Sequence, residues 1–181
     1  MKSKFINISI VILFAGLGLA SCSNVPAQLD PPLAVVVNVD KQKYLGKWYE
    51  IARYPHRFEE NCYAVTAKYE LQDDGSIRVT NRCYEGGLDG ELKEAVGTAY
   101  FVDNQSNAKL EVTFFWPFYG DYWIIDLDEN YQYAVVSEPK RQYLWILSRT
   151  PTMEASLYEQ LSTKLKVKGF DLSLLNKTPQ K

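Results

Sequence analysis

The sequence predicts an all-β domain: eight antiparallel strands joined by hairpins, with one α-helix near the C-terminus packed on their side. Three observations carry this. Short alternating or apolar runs recur at regular spacing, each ended by turn residues. Aromatics make up 14% of the 181 residues, with 13 Tyr, 8 Phe and 4 Trp, which suits pleated, half-buried surfaces. A single late stretch carries a helical stripe. Eight strands connected this way suggest closure into an up-and-down barrel, wide enough for packed side chains or one small ligand. A β-sandwich would show the same alternation, so pattern alone leaves both open.

The first element is not part of that domain. Lys2 and Lys4 precede an apolar run from Phe5 to Ala20, which ends in Leu19-Ala20-Ser21-Cys22. This is the layout of a secretory signal over residues 1–21, and the run is too short for a membrane span. Leu-Ala-Ser before Cys22 resembles the lipobox of bacterial lipoproteins. That resemblance implies cleavage before Cys22 and acylation of its thiol. Ser23 follows, not the Asp that retains such proteins in the inner membrane. The implied place is the outer membrane, facing the periplasm. Residues 22–35 read as a lipidated tether, with three prolines between Asn24 and Pro32. Residues 36–177 are the expected domain and 178–181 a tail.

The strands follow in order. Gly46 to Tyr54 is the first. In the second, Tyr63, Val65, Ala67, Tyr69 and Leu71 face one way and Ala64, Thr66, Lys68 and Glu70 the other. Gln72-Asp73-Asp74-Gly75 is a hairpin turn, with Gly75 at its positive-φ position. Ile77 to Tyr84 returns. Glu94 to Val102, Leu110 to Phe115, Tyr122 to Leu127, Tyr133 to Ser137 and Tyr143 to Ser148 complete eight. The helix is expected to begin after an N-cap at Thr152. Leu157, Leu161 and Leu165 form its buried stripe, and Gly169 stands just past its end. Phe170 to Leu175 is a short strand or coil.

Cysteine usage fits export. With Cys22 acylated, a bond between Cys62 and Cys83 is the natural pairing, the alternative being two buried thiols. Closing a loop of about 20 residues adds roughly 3 kcal/mol in the chain-entropy model. A simple register through the Asp74 turn places Cys83 opposite Thr66, so a bulge or folded-over loop is needed to join the sulfurs.

Composition and motifs exclude several functions. Twenty basic against 22 acidic residues gives a net charge of −2, which makes no electrostatic case for nucleic acid. The chain has one histidine, His56, and no Gly-x-Ser-x-Gly, Cys-x-x-Cys or His-Glu-x-x-His. It is therefore read as a binding protein, not an enzyme, with no metal and no cofactor.

Gly46-Lys47-Trp48 resembles the Gly-x-Trp signature of the lipocalins. Asp128-Glu129-Asn130-Tyr131 resembles their second motif without its usual Thr-Asp-Tyr opening, and Leu147-Ser148-Arg149-Thr150-Pro151 their third. The order and spacing fit over Val36 to Leu175. The bacterial outer-membrane lipocalins are the nearest group, with apolipoprotein D and plant temperature-induced lipocalins more distant. The resemblance implies an eight-stranded calyx. It also implies that Gly46, Trp48 and Arg149 close the barrel's base, the guanidinium over the indole being worth about 0.5–2 kcal/mol.

If Gly46 starts at the closed end, the open-end loops are Pro55 to Asn61, Glu85 to Gly90, Trp116 to Asp121 and Glu138 to Gln142. Alternation nominates Tyr63, Val65, Tyr69, Val79, Phe114, Trp123 and Ile125 as cavity wall. Such a cavity favours a long apolar molecule; about twelve buried methylenes supply roughly 10 kcal/mol before ordering costs. Fatty acids and lysophospholipids are the ligands the resemblance implies, held for membrane storage, transport or maintenance. His56, Arg57 and Arg141 are rim residues able to meet a head group. Trp116-Pro117-Phe118-Tyr119-Gly120 is an aromatic loop, read as a lipid-touching mouth, a patch for a second subunit in a homodimer, or a plug folded inward. A filled barrel serving a structural or docking role, or a pigment binder, is the alternative.

Overall fold

The structure is a computed structural model that describes residues 31–181; Cys22 and the signal segment lie outside the described residues. Nine strands form one antiparallel sheet. They are β1 (Gly46–Arg53), β2 (Cys62–Leu71), β3 (Ile77–Glu85), β4 (Glu91–Phe101), β5 (Lys109–Phe115), β6 (Phe118–Leu127), β7 (Tyr133–Ser137), β8 (Leu144–Ser148) and β9 (Asn176–Lys177). Each of β2 to β7 pairs with both its sequence neighbours, β8 pairs with β7 and β1, β1 also pairs with β2 so that the sheet closes, and β9 adds to the end of β1. Two short helices complete the set: α1 (Lys41–Tyr44) below the start of β1, and α2 (Ala155–Val167) after β8. The barrel is thus decided over the sandwich.

Closure sorts the apolar residues into two cores. One fills the barrel: Trp48, Tyr69, Ile77, Val79, Ala99, Leu110, Ile124, Val136 and Leu147 belong to it. The other lies outside, between the barrel wall and α2, where Leu161 and Leu165 join Ile51, Ala52, Tyr54, Ile125, Val135, Leu144 and Ile146. β1, β7 and β8 therefore bury both faces. That is why β7 and β8 read as nearly continuous apolar runs while β2 and β3 alternate.

Several boundaries differ from expectation. β6 begins at Phe118, so the expected loop to Asp121 shrinks to the turn at Trp116 and Pro117, which joins the paired Phe115 and Phe118. The position before α2 is Glu154, not Thr152, whose carbonyl instead accepts from the Thr150 hydroxyl. Gly169 does sit past the helix end at φ +85°. After it come a tight turn at Leu172–Leu174 and then β9. Leu33 is buried in the outer core, and residues 178–180 are hydrogen-bonded to β1 and β2, so packed structure extends beyond 36–177 at both ends.

Candidate ligand cavity

The floor of the barrel is built by the first turn of chain that enters it. Asp40 caps α1 by accepting from the Gln42 and Lys43 amides. Gly46 follows at φ +93°, open to glycine and strained for other residues. Trp48 is fully buried and donates its indole N–H to the Tyr44 carbonyl at 2.9 Å. The Arg149 guanidinium lies 3.6 Å from the centre of the Trp48 ring. It also donates to the carbonyls of Tyr131, Lys47, Lys43 and Tyr44. One cation thus ties α1, β1 and the β6–β7 turn beneath a single indole.

Above that floor stand three tyrosines. The Tyr122 hydroxyl lies 2.7 Å from that of Tyr44 and 2.9 Å from that of Tyr69. Burial is the main reason all three phenols titrate high, Tyr69 at about 12. Higher still the inner wall opens. Ala67, Asn81, Val112 and Tyr122 face inward yet are only half-buried, and Phe114 and Ala95 are exposed. Phe114 lies on Gly97, where a Cβ would stand 2.8 Å from its ring, so glycine there makes room for it.

The other side of the mouth is filled by charge. Glu50 follows Trp48 on the inward face of β1 and is 2% exposed. Its carboxylate pairs with Arg53 at 2.5 Å and accepts from the Thr178 hydroxyl. Arg53 also donates to the carbonyls of Glu59 and Cys62. Burial, with Glu59 adding to it, raises the Glu50 carboxyl to about 8. Burial also acts to raise Glu59, but His56, Glu50 and Arg53 outweigh it and hold that carboxyl below its usual value. His56 Nε2 is 3.1 Å from Glu59 Oε2, yet neither ring nitrogen has a partner in hydrogen-bond geometry.

This corner exists because β1 and β2 part company. They pair only from Gly46 to Tyr49, and β1 is irregular between Glu50 and Ala52. The C-terminal segment fills the gap. Thr178 N–H donates to the Ile51 carbonyl, the Pro179 carbonyl accepts from Ala64 N–H, and Gln180 bonds the carbonyls of Glu50 and Val65. Between this strap and the 55–63 loop runs a surface groove of about 640 Å³. β2 also carries an irregularity between Tyr63 and Thr66, with Ala64 at φ +46°. That bulge brings Cys62 to Cys83, and the two are disulfide-bonded.

The nominated wall residues divide. Tyr69 and Val79 are in the inner core, and Phe114 faces the open half of the barrel. Val65 is buried beneath the strap, and Tyr63 lines the groove instead of the calyx. Trp123 and Ile125 must be corrected: both lie outside, in the core beneath α2, while Tyr122 and Ile124 point in. A register shift after Ile124 and both-sided burial hid which face was which. Arg141 is corrected too, because it donates to the carbonyls of Lys168 and Pro31 and so clasps the helix end. Sequence reasoning missed Tyr44, Tyr122, Asn81 and the Glu50 cluster. Glu50 had a signal, since it shares a face with Gly46 and Trp48.

The chain matches the lipocalin-like domain family over residues 39–180. The chain is a lipocalin. This lipocalin is 44% identical to Outer membrane lipoprotein Blc of Vibrio cholerae over 92% of this chain and 95% of that one. It is 46% identical to the Escherichia coli protein of the same name over 79% and 81%. Temperature-induced lipocalin-1 of Arabidopsis thaliana is 42% identical over 82% and 83%. Among solved structures, insecticyanin from Manduca sexta superposes with a TM-score of 0.65 at 20% identity, covering 83% and 86%, a likeness of fold. As a lipocalin the chain is a binding protein, not an enzyme.

Proposed function

We propose that this lipocalin is an outer-membrane lipoprotein, anchored through an acylated Cys22 and facing the periplasm. In this reading it holds or transports a single-chain lipid, a fatty acid or a lysophospholipid, for membrane storage, transport or maintenance. One observation carries the ligand reading: above a sealed floor, the inward-facing Ala67, Val112 and Phe114 keep part of their surface uncovered. Apolar wall left accessible inside a closed sheet is surface a hydrocarbon chain can cover. The anchor reading is supported by the lipobox residues and by relatives named as outer-membrane lipoproteins. One acyl chain holds a protein at a bilayer only marginally, so the several chains of a bacterial lipoprotein make attachment permanent.

The aromatic hairpin favours a homodimer. Phe115, Trp116 and Phe118 are 74%, 76% and 71% exposed, and Phe115 stacks on Phe118. A patch of this kind suits a second copy. Native mass spectrometry of the mature chain with oleate and lysophosphatidylcholine tests the ligand reading: one bound lipid per barrel is expected. Failure to take up any acyl probe sinks it. Sedimentation equilibrium reads the dimer.

A further inference from the structure

The chain that leads back to Cys22 leaves the barrel at its mouth. β1 starts at the sealed base with Gly46, so the β7–β8 turn lies at the open rim, as do the 55–61 loop and the β5–β6 hairpin. Arg141 in the β7–β8 turn donates to the Pro31 carbonyl at 2.8 Å and to the Lys168 carbonyl at the end of α2. From Pro31 the chain descends the outside of the wall. Leu33 is buried in the outer core, the Val39 amide donates to the Ser106 carbonyl in the β4–β5 turn, and Asp40 caps α1 at the floor.

Nine links separate Cys22 from Pro31, a reach of at most about 30 Å. β4 runs eleven residues from rim to base, which at the usual strand tilt is roughly 26 Å of height. With the mouth toward an anchoring bilayer, the segment has length to spare. With the base toward it, the same segment is drawn almost straight along the whole wall, and that extension costs conformational entropy.

The rim also carries the matching surface. Phe58, Phe115, Trp116, Phe118, Val167 and Leu174 are all exposed there. They do not form one patch. Phe58 follows β1 and the hairpin follows β5, which stand across the eight-strand ring from each other. Val167 and Leu174 mark a further side, at the end of α2 and in the turn after it. A second copy seated on the hairpin leaves Phe58 uncovered; a broad surface meets all of them at once. The turns at the base instead read Asp73-Asp74, Asp103-Asn104 and Glu129-Asn130. Exposed aromatics settle where lipid meets water.

We propose that the rim docks on the membrane, its mouth toward the phospholipid leaflet that holds the anchor, with Phe58, the aromatic hairpin, Val167 and Leu174 dipping into the head-group region. A single-chain lipid then passes between leaflet and barrel without its tail crossing water. This rests on the anchor and lipid-holding roles proposed above and adds the direction in which the barrel faces.

The test uses the acylated chain, purified from membranes and reconstituted in vesicles of phosphatidylethanolamine and phosphatidylglycerol. A nitroxide is attached at one introduced cysteine: Phe58→Cys or Val167→Cys at the rim, Leu71→Cys or Val102→Cys at the base. All four positions are exposed, so the fold tolerates the changes. Collisions of the nitroxide with oxygen and with a water-soluble nickel chelate are read by power saturation. Relative to the same labels on Cys22→Ser protein in buffer, the rim labels are expected to gain oxygen contact and lose nickel contact, each roughly threefold, as for side chains at head-group depth. The base labels should not change. Rim labels that lose both contacts are covered by protein, and unchanged rim labels stand in water. Either result overturns the docking, as does a base label that gains oxygen. The label at position 58, across the barrel from the hairpin, keeps the readout clear of a dimer there. The mass of the purified chain reads the acyl groups on Cys22: without them the anchor and the docking fall together, whereas an acylated chain with its rim in water sinks the docking alone.

Discussion

At the closed end, a single arginine lies across Trp48 and satisfies four backbone carbonyls, and α1 seals the sheet beneath. At the open end, two carboxyls, an arginine and a histidine are packed into the gap where β1 and β2 separate, and neither nitrogen of His56 has a hydrogen-bond partner. Both ends bury charge, but only one resolves it completely. The closed end is built from bonds that all point to the same arrangement, which is how a barrel base is made rigid. The open end keeps two carboxyls shifted in opposite directions, and its aromatics face outward. Stability and binding are thus assigned to opposite ends of one sheet.

The sharpest break would come from removing the indole. Trp48→Ala leaves a cavity beneath the tyrosines and takes away Arg149's platform; a loss of about 3–5 kcal/mol is expected by urea denaturation. A smaller loss at this end than from any single mouth substitution would invert the comparison. Next is Arg149→Ala, which takes a donor from the carbonyls of Lys43, Lys47 and Tyr131, while that of Tyr44 keeps the Trp48 indole; about 2–3 kcal/mol is expected, with lipid affinity within threefold of the parent.

At the open end the signature is a pH slope. Glu50 titrates at about 8 in the fold against 4.5 for an ordinary glutamate, mainly through burial. A raised carboxyl favours the fold fully below the ordinary value, and that contribution is lost as pH climbs towards the folded value. Urea midpoints should therefore fall between about pH 4.5 and 8 and level off above. Glu59, held low, gives the opposite slope in more acid solution. Glu50→Gln keeps an oxygen for Thr178 and should flatten the fall; an unchanged slope would move its origin to another group. The smallest stability effect belongs to Trp116→Ser, within about 0.5 kcal/mol. Its readout is association: the dimer proposed for the parent through this hairpin should be lost, and the variant should sediment as a monomer.

Much of this was legible in the sequence, for a local reason. Strand periodicity and turn residues are encoded within a few positions, so β2, β3 and the Gly75 turn could be read directly. Gly46, Trp48 and Arg149 were legible because their resemblance fixes their place. The α2 stripe at Leu161 and Leu165 gave the outer packing. Tertiary structure alone decided what faces the cavity. β6, β7 and β8 are covered on one side by the barrel core and on the other by α2, so apolarity could not tell inside from outside, and Trp123 and Ile125 went to the wrong face. Glu50 became buried only because residues 178–180, more than a hundred positions away, close over it. The polar floor needed Tyr44, Tyr69 and Tyr122 brought together from three separate elements. Period-two patterning fixes which residues share a face; which face turns inward depends on partners that the pattern does not contain.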